Sequence, residues 1–142
     1  MNNSTHSTEE KDTALDQLRY RLRHSAAHVL ADSVLKLFPN AKLGIGPPIE
    51  DGFYYDFEVE RPFTPEDLER IESLMKEIFS NNYPFEIEEI SREAAKSFYS
   101  EQPYKLELID DIPPTEPITL YRHNQFVDLC QGPHVESTGK VP

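Results

Sequence analysis

Residues 13–38 read TALDQLRYRLRHSAAHVLADSVLKLF, and this stretch decides the fold. Leu15, Leu18, Leu22, Ala26, Val29, Ser33 and Leu37 recur at steps of three and four, the spacing of one helical face. At about 100° per residue, His24 and His28 fall nearly opposite that stripe, beside Ala27, Ala31, Leu35 and Phe38. Arg21, Ser25, Asp32 and Lys36 form the one plainly polar strip between the two faces. The pattern predicts a helix from about Thr13 to about Phe38 that buries two faces, the second carrying two histidines. Pro39-Asn40 ends it.

Upstream, Met1–Lys11 is polar and reads as a disordered tail, so that residues 1–12 stand apart from a domain of residues 13–142. Downstream, Leu43–Gly52 is punctuated by glycine and proline and predicts an irregular loop between strands. Phe53, Tyr55, Phe57 and Val59 alternate with Tyr54, Asp56 and Glu58, a strand pattern. Thr64-Pro65-Glu66-Asp67 is a helix start, with Thr as cap and Pro at the first helical position. Leu68, Ile71, Met75, Ile78 and Phe79 then mark a second amphipathic helix ending near Asn81-Asn82. Phe85–Ile90 predicts a short strand, and Ser91 caps a short helix running through Tyr99. Tyr104–Ile109 fits helix and strand equally. The three prolines within Ile112–Pro117 require a loop. Ile118–His123 and Phe126–Leu129 flank Asn124-Gln125, which predicts a hairpin. This order of elements predicts an α+β domain, a mixed or antiparallel sheet packed against a long central helix and a second amphipathic helix.

The whole chain, 142 residues, has room for one domain. Its 15 Phe and Tyr are too many for a disordered chain. No apolar run approaches the roughly 20 residues that span a membrane, and the N-terminus carries no export signal pattern, so a soluble cytoplasmic protein is expected. The single cysteine, Cys130, excludes an internal disulfide. Net charge is −12, and residues 60–116 alone carry 15 acids against 6 bases. Such a surface repels phosphate backbones and argues against a broad nucleic-acid footprint, while allowing contact with the end of a nucleic acid held elsewhere.

Two pairs of potential ligands stand out. His24-x-x-x-His28 puts two imidazoles one helical turn apart on one face. Cys130-x-Gly-x-His134 follows a strand and turns at Gly132-Pro133, which could bring thiol and imidazole together. The four residues would suffice as a tetrahedral zinc set. The alternative is a pair of helix histidines satisfied by hydrogen bonds and a cysteine packed as a small hydrophobe. The glutamate of a zinc-protease helix is absent, because positions 25–27 are Ser-Ala-Ala. Asp128 shares its strand face with Cys130, either as a site residue or as an ordinary exposed acid. Lys105, taken alone, reads as a surface lysine. Tyr54 and Tyr55 read as strand packing.

Arg23-His24-Ser25-Ala26-Ala27-His28-Val29-Leu30-Ala31, Leu43–Phe57, Pro103–Ile109 and Phe126–Val135 together resemble the N-terminal editing domain of bacterial threonyl-tRNA synthetases. The resemblance covers about His24 to Lys140, in order. It implies a hydrolase that removes serine from seryl-tRNA(Thr). It implies as site residues His24, His28, Lys105, Asp128, Cys130 and His134, with Tyr55 in the substrate pocket. It implies as partners the serine-carrying acceptor end of tRNA(Thr) and the synthetic core of the synthetase. The related alanyl-tRNA editing domains hold zinc with the same two His and Cys/His pairs, whereas the threonyl type works without the metal. No cofactor is therefore expected for editing, with zinc left open on His24, His28, Cys130 and His134.

The chain departs from that family in lacking the small domain that precedes the editing domain and the synthetic core that follows it. On its own it is not expected to activate threonine, and its last residues suggest an excised N-terminal piece. Two rival readings stand beside this one. One is a zinc-dependent alanyl-tRNA-type trans-editing deacylase. The other is a non-catalytic zinc-binding or tRNA-docking module, which would not need Lys105.

Overall fold

The computed structural model describes residues 3–44, 48–49, 52–53, 55–130 and 134–141, with side chains from Ala14 onward except those of 48–49. Its spine is helix α1, Asn3–Leu37. The helix begins well before the expected start near Thr13, because no proline or glycine occurs before Pro39 to interrupt it. Between Ser25 and Val34 every side chain but that of Leu30 is buried, so the middle of α1 is enclosed on more than the two faces expected. Ser25 and Asp32, placed on the polar strip by periodicity, are 0% and 7% exposed. Leu15 and Leu18, placed on the apolar stripe, are exposed. The stripe is thus continuous in sequence but is covered only where the rest of the domain reaches it.

After α1 come β1 (Lys42–Leu43), β2 (Pro48–Ile49), β3 (Gly52–Phe53) and β4 (Phe57–Glu58). β1 pairs with β4 and β2 with β3, both antiparallel. The strand expected over Phe53–Val59 is therefore divided. Its alternation survives in burial, with Tyr55, Phe57 and Val59 half-buried and Asp56, Glu58 and Glu60 exposed. Tyr54 and most of the 45–51 loop lie outside the described residues, as does the expected turn at Gly132-Pro133.

Helix α2 (Pro65–Asn81) starts as expected, with a capping box between Thr64 and Asp67. The Arg61 guanidinium, 2.6 Å from the same carboxylate, holds Asp67 well below the usual carboxylate range. At its far end Asn82 takes the left-handed conformation. The apolar side of α2 packs Ile71 and Met75 against Val34, Phe38 and Phe57.

The main sheet is antiparallel in the order β5 (Glu86–Ile90), β6 (Ile118–His123), β7 (Phe126–Leu129). The β6–β7 hairpin turns at Asn124-Gln125 as expected, with Asn124 at φ 53°. Between β5 and β6 lie α3 (Arg92–Phe98), capped by Ser91, and α4 (Pro103–Asp111). Tyr104–Ile109, ambiguous by pattern, is thus helical, and Pro103 at the first helical position favours that outcome. Gln102 does not cap α4 with its side chain. It reaches back to β1 instead, accepting from Leu43 N at 2.8 Å. A short 3₁₀ turn, Thr138–Lys140, closes the described chain, and Thr138 Oγ1 donates to Ile78 O on α2 at 2.8 Å. Among the described residues no helix is long and apolar enough to cross a membrane.

Strand pairing sorts β6 and β7 into two faces. Ile118, Leu120, Val127 and Leu129 face one way, onto Ala95 and Tyr99 near α3 and Ile109 of α4. Tyr121 opposite Asp128 and His123 opposite Phe126 face the other way, toward α1. Cys130 continues that second face, with its N–H donating to Thr119 O at 3.1 Å.

Candidate functional site

On the α1-facing side of the sheet, three groups of polar side chains are assembled. In the first, Cys130 Sγ lies 3.1 Å from His24 Nε2 and 3.2 Å from His134 Nε2. His134 Nδ1 is 3.0 Å from Ser25 Oγ, which also accepts from Val135 N at 3.1 Å. The His134 ring is sandwiched: it stacks on His24 at 4.4 Å and on Phe85 at 4.8 Å. Burial, and then the neighbouring His28 and His24, push the His134 imidazole down to about 2, so it stands neutral.

The second group is a triangle of charge. Lys105 reaches from α4 to place Nζ 2.8 Å from Asp128 Oδ1, where it also donates to Tyr55 OH at 2.9 Å. Tyr55 OH in turn donates to Asp128 Oδ2 at 2.7 Å. The Lys105 and Asp128 side chains are only 2% and 6% exposed. Lys105 is therefore not the surface lysine its isolated reading suggests, and Asp128 is not an exposed strand acid. A buried ammonium and carboxylate each require the other. Burial, followed by the Asp128 charge, pushes the Tyr55 hydroxyl well above its usual range, which keeps it a proton donor.

His28 stands in the third group, with two residues that sequence reasoning passed over. Its Nδ1 is 2.9 Å from Nδ1 of His123 on β6. His123 Nε2 is 2.8 Å from Asp32 Oδ2, one helical turn beyond His28 on α1. Burial first, then His123, His24 and Lys105, hold the His28 imidazole well below its ordinary value, the Tyr121 carbonyl opposing them. His123 and Asp32 were legible in principle. His123 shares parity with Tyr121, and the tight hairpin carries that parity across to Asp128 and Cys130. Asp32 is the i+4 neighbour of His28.

All seven residues named from the sequence thus lie in these groups: His24, Cys130 and His134 in one, Tyr55, Lys105 and Asp128 in the second, His28 in the third. Of the four proposed zinc ligands, His24, Cys130 and His134 bring their ligand atoms within 4.8 Å of one another, while His28 is outside that set among the described residues. In a tetrahedral site, Zn–S of about 2.3 Å and Zn–N of about 2.0 Å put sulfur and nitrogen about 3.5 Å apart. The donor set suits a metal, and the two contacts would have to open by only a few tenths of an ångström.

Residues 118–142 match the family model described as the threonyl and alanyl tRNA synthetase second additional domain. The chain is 54% identical over 120 residues to a threonine--tRNA ligase of Dehalococcoides mccartyi, an alignment covering 84% of this chain and 20% of the relative. It is 55% identical over 121 residues to that of Acetivibrio thermocellus, covering 84% and 19%. Against that of Symbiobacterium thermophilum it is 46% identical over 141 residues, covering 93% and 22%. The resemblance to threonyl-tRNA synthetases is borne out over most of the chain, which spans about a fifth of the length of these curated relatives.

Proposed function

We propose that this site hydrolyses the ester of a mischarged tRNA, releasing serine from seryl-tRNA(Thr) as the proofreading domain of a threonyl-tRNA synthetase. The observation that carries the reading is the buried Lys105, held by Tyr55 and by Asp128, which stands two residues before Cys130. A docking or structural module has no need to bury an ammonium at such cost. The likeness to threonine--tRNA ligases supplies the substrate class.

Serine and threonine differ by one methyl group, which a single pocket converts to about 1–3 kcal/mol, or roughly 10–200-fold. A second site that excludes the methyl and hydrolyses what fits corrects the remainder. In the proposed reaction, His24 or His28 accepts a proton from water as the water oxygen attacks the ester carbonyl carbon. Charge develops on the carbonyl oxygen. The bond to the ribose oxygen then breaks, and the proton returns to that oxygen, giving free serine and an uncharged tRNA end. An ammonium has three donors. Lys105 directs one to Asp128 and one to Tyr55, and the third is assigned to the developing oxyanion or the leaving ribose oxygen. Asp128 accepts from Lys105, Tyr55 and Leu129 N. Its role is therefore to hold Lys105 in place rather than to bind the substrate ammonium. Cys130 needs no covalent role, since water can attack an activated ester directly.

The convergence of His24, Cys130 and His134 favours a second reading in which zinc occupies the site. Bound there, zinc would supply Lewis acidity and order a water. The same three side chains would then act as its ligands, leaving the roles of Lys105 and His28 unchanged. The test of both readings is serine release from seryl-tRNA(Thr), with threonyl-tRNA(Thr) alongside and with chelator or zinc added. Loss of serine with retention of threonine is expected. Equal persistence of both esters at high protein concentration rejects the hydrolase, and activity abolished by chelator and restored by zinc selects the metal form. His28→Ala is expected to end serine release while the chain stays folded.

A further inference from the structure

Asp32, His123 and His28 form one chain of contacts through the middle of the domain, at 2.8 Å and 2.9 Å. Two residues of α1 one turn apart grip both nitrogens of a single histidine from the sheet. All three are buried, His123 completely. A neutral imidazole carries one N–H, and the other nitrogen is an acceptor. The Asp32 carboxylate only accepts, so the proton of a neutral His123 sits on Nε2. His123 Nδ1 is then an acceptor and draws the single proton of His28 onto His28 Nδ1. The remaining nitrogen, His28 Nε2, is buried and has no hydrogen-bond partner among the described residues. The His28 ring is 5.1 Å from the ring of His134 in the first group. The Tyr121 carbonyl favours a proton on the His28 ring, although no partner among the described residues completes a hydrogen bond to Nε2.

We propose that Asp32 and His123 are positioning residues that fix His28 as its Nδ1–H tautomer, so that Nε2 presents a free lone pair to the site. The base in the proposed hydrolysis is then His28, not His24. The carboxylate sets the tautomer two residues away from the reacting water, as outer carboxylates do for histidines that bind metals or accept protons. Only the assignment of the base rests on the hydrolase reading; the proton arrangement stands on geometry.

The test is nitrogen-15 NMR of the imidazoles in the whole chain at neutral pH with chelator present, read beside serine release. The expected spectrum shows His28 with a protonated Nδ1 and an unprotonated Nε2. His123→Phe keeps the ring packing against Phe85 and Phe126 but removes the acceptor. It is expected to mix the His28 tautomers and to lower kcat about 10–100-fold with KM little changed. His123→Asn, which returns an acceptor oxygen near the Nδ1 position, is expected to restore both. His28 protonated on Nε2 in the parent chain overturns the inference, as does a His123→Phe variant with unaltered tautomer and kcat. Should His123→Phe fail to fold, the parent spectrum alone decides. An Nδ1–H His28 in a chain that releases no serine supports the proton arrangement and overturns the hydrolase instead.

Discussion

On one face of the β6–β7 hairpin, Ile118, Leu120, Val127 and Leu129 pack onto Tyr99 and Ile109. On the other, His123, Asp128 and Cys130 meet polar groups from α1, α4 and the chain before β4. Both faces follow the same two-residue alternation. The apolar face is held by contacts that have no direction, so a side chain of similar size and shape can replace another at small cost. The polar face is held by pairs, and each member's partner lies on another element far away in sequence. Its stability therefore depends on completeness more than on area.

The largest break in this comparison is expected from Asp128→Ala. Removing the carboxylate leaves the Lys105 ammonium buried without its charge partner. A loss of about 3–5 kcal/mol in urea unfolding is expected, together with loss of serine release. Lys105→Met combined with Asp128→Leu removes both charges and keeps apolar volume. That double variant is expected to recover most of the stability and none of the hydrolysis. If Asp128→Ala costs no more than an ordinary surface change, the pair is not what holds this face.

A second, smaller contrast separates the faces by pH. Unfolded histidine titrates near 6.5, whereas folded His134 is held down to about 2 and His28 is shifted the same way. Between those limits the unfolded chain binds more protons than the folded one, so stability rises with pH across the window. It is fully present above about 6.5 and is lost progressively as pH falls. Two tyrosines act at the other end. Tyr55 and Tyr99 are pushed upward, chiefly by burial, so their contribution is present below about 10 and lost as pH rises above it. Urea midpoints at about pH 7 and about pH 5, with chelator present, are expected to differ in the parent and to differ less in His134→Gln. An equal acid sensitivity in that variant would place the acid-labile groups elsewhere.

These two faces also mark how far the sequence could be read. Helix α2, its Thr64 cap, the hairpin at Asn124-Gln125 and the Ser91-capped α3 were all legible, because each is specified by neighbours within a few residues. The ligand pairs were legible too, as spacings on α1 and after β7. Lys105 was not, because nothing local tells a lysine that ends on a buried carboxylate from one that ends in water. His123 and Asp32 carried only a weak local signal, strand parity for one and the i+4 spacing from His28 for the other. Each looks like an ordinary polar residue until the sheet is laid on the helix.

The smallest expected effects test the apolar side of the comparison within itself. Ile109 is 0% exposed and Leu18 is 47% exposed, although only Leu18 lies on an apolar stripe that periodicity marks. Ile109→Val removes one methylene from a closed cluster and is expected to cost about 0.5–1.5 kcal/mol. It should leave kcat for serine release unchanged, because the cluster lies on the far side of the sheet from His28 and Cys130. Leu18→Ser changes far more chemistry at a position that is about half exposed, and is expected to stay within about 0.5 kcal/mol of the parent. If Leu18→Ser proved the costlier of the two, the first turns of the described α1 side chains would have to be covered in solution. The stripe of leucines before Ala26 would then be a packed face rather than an open one.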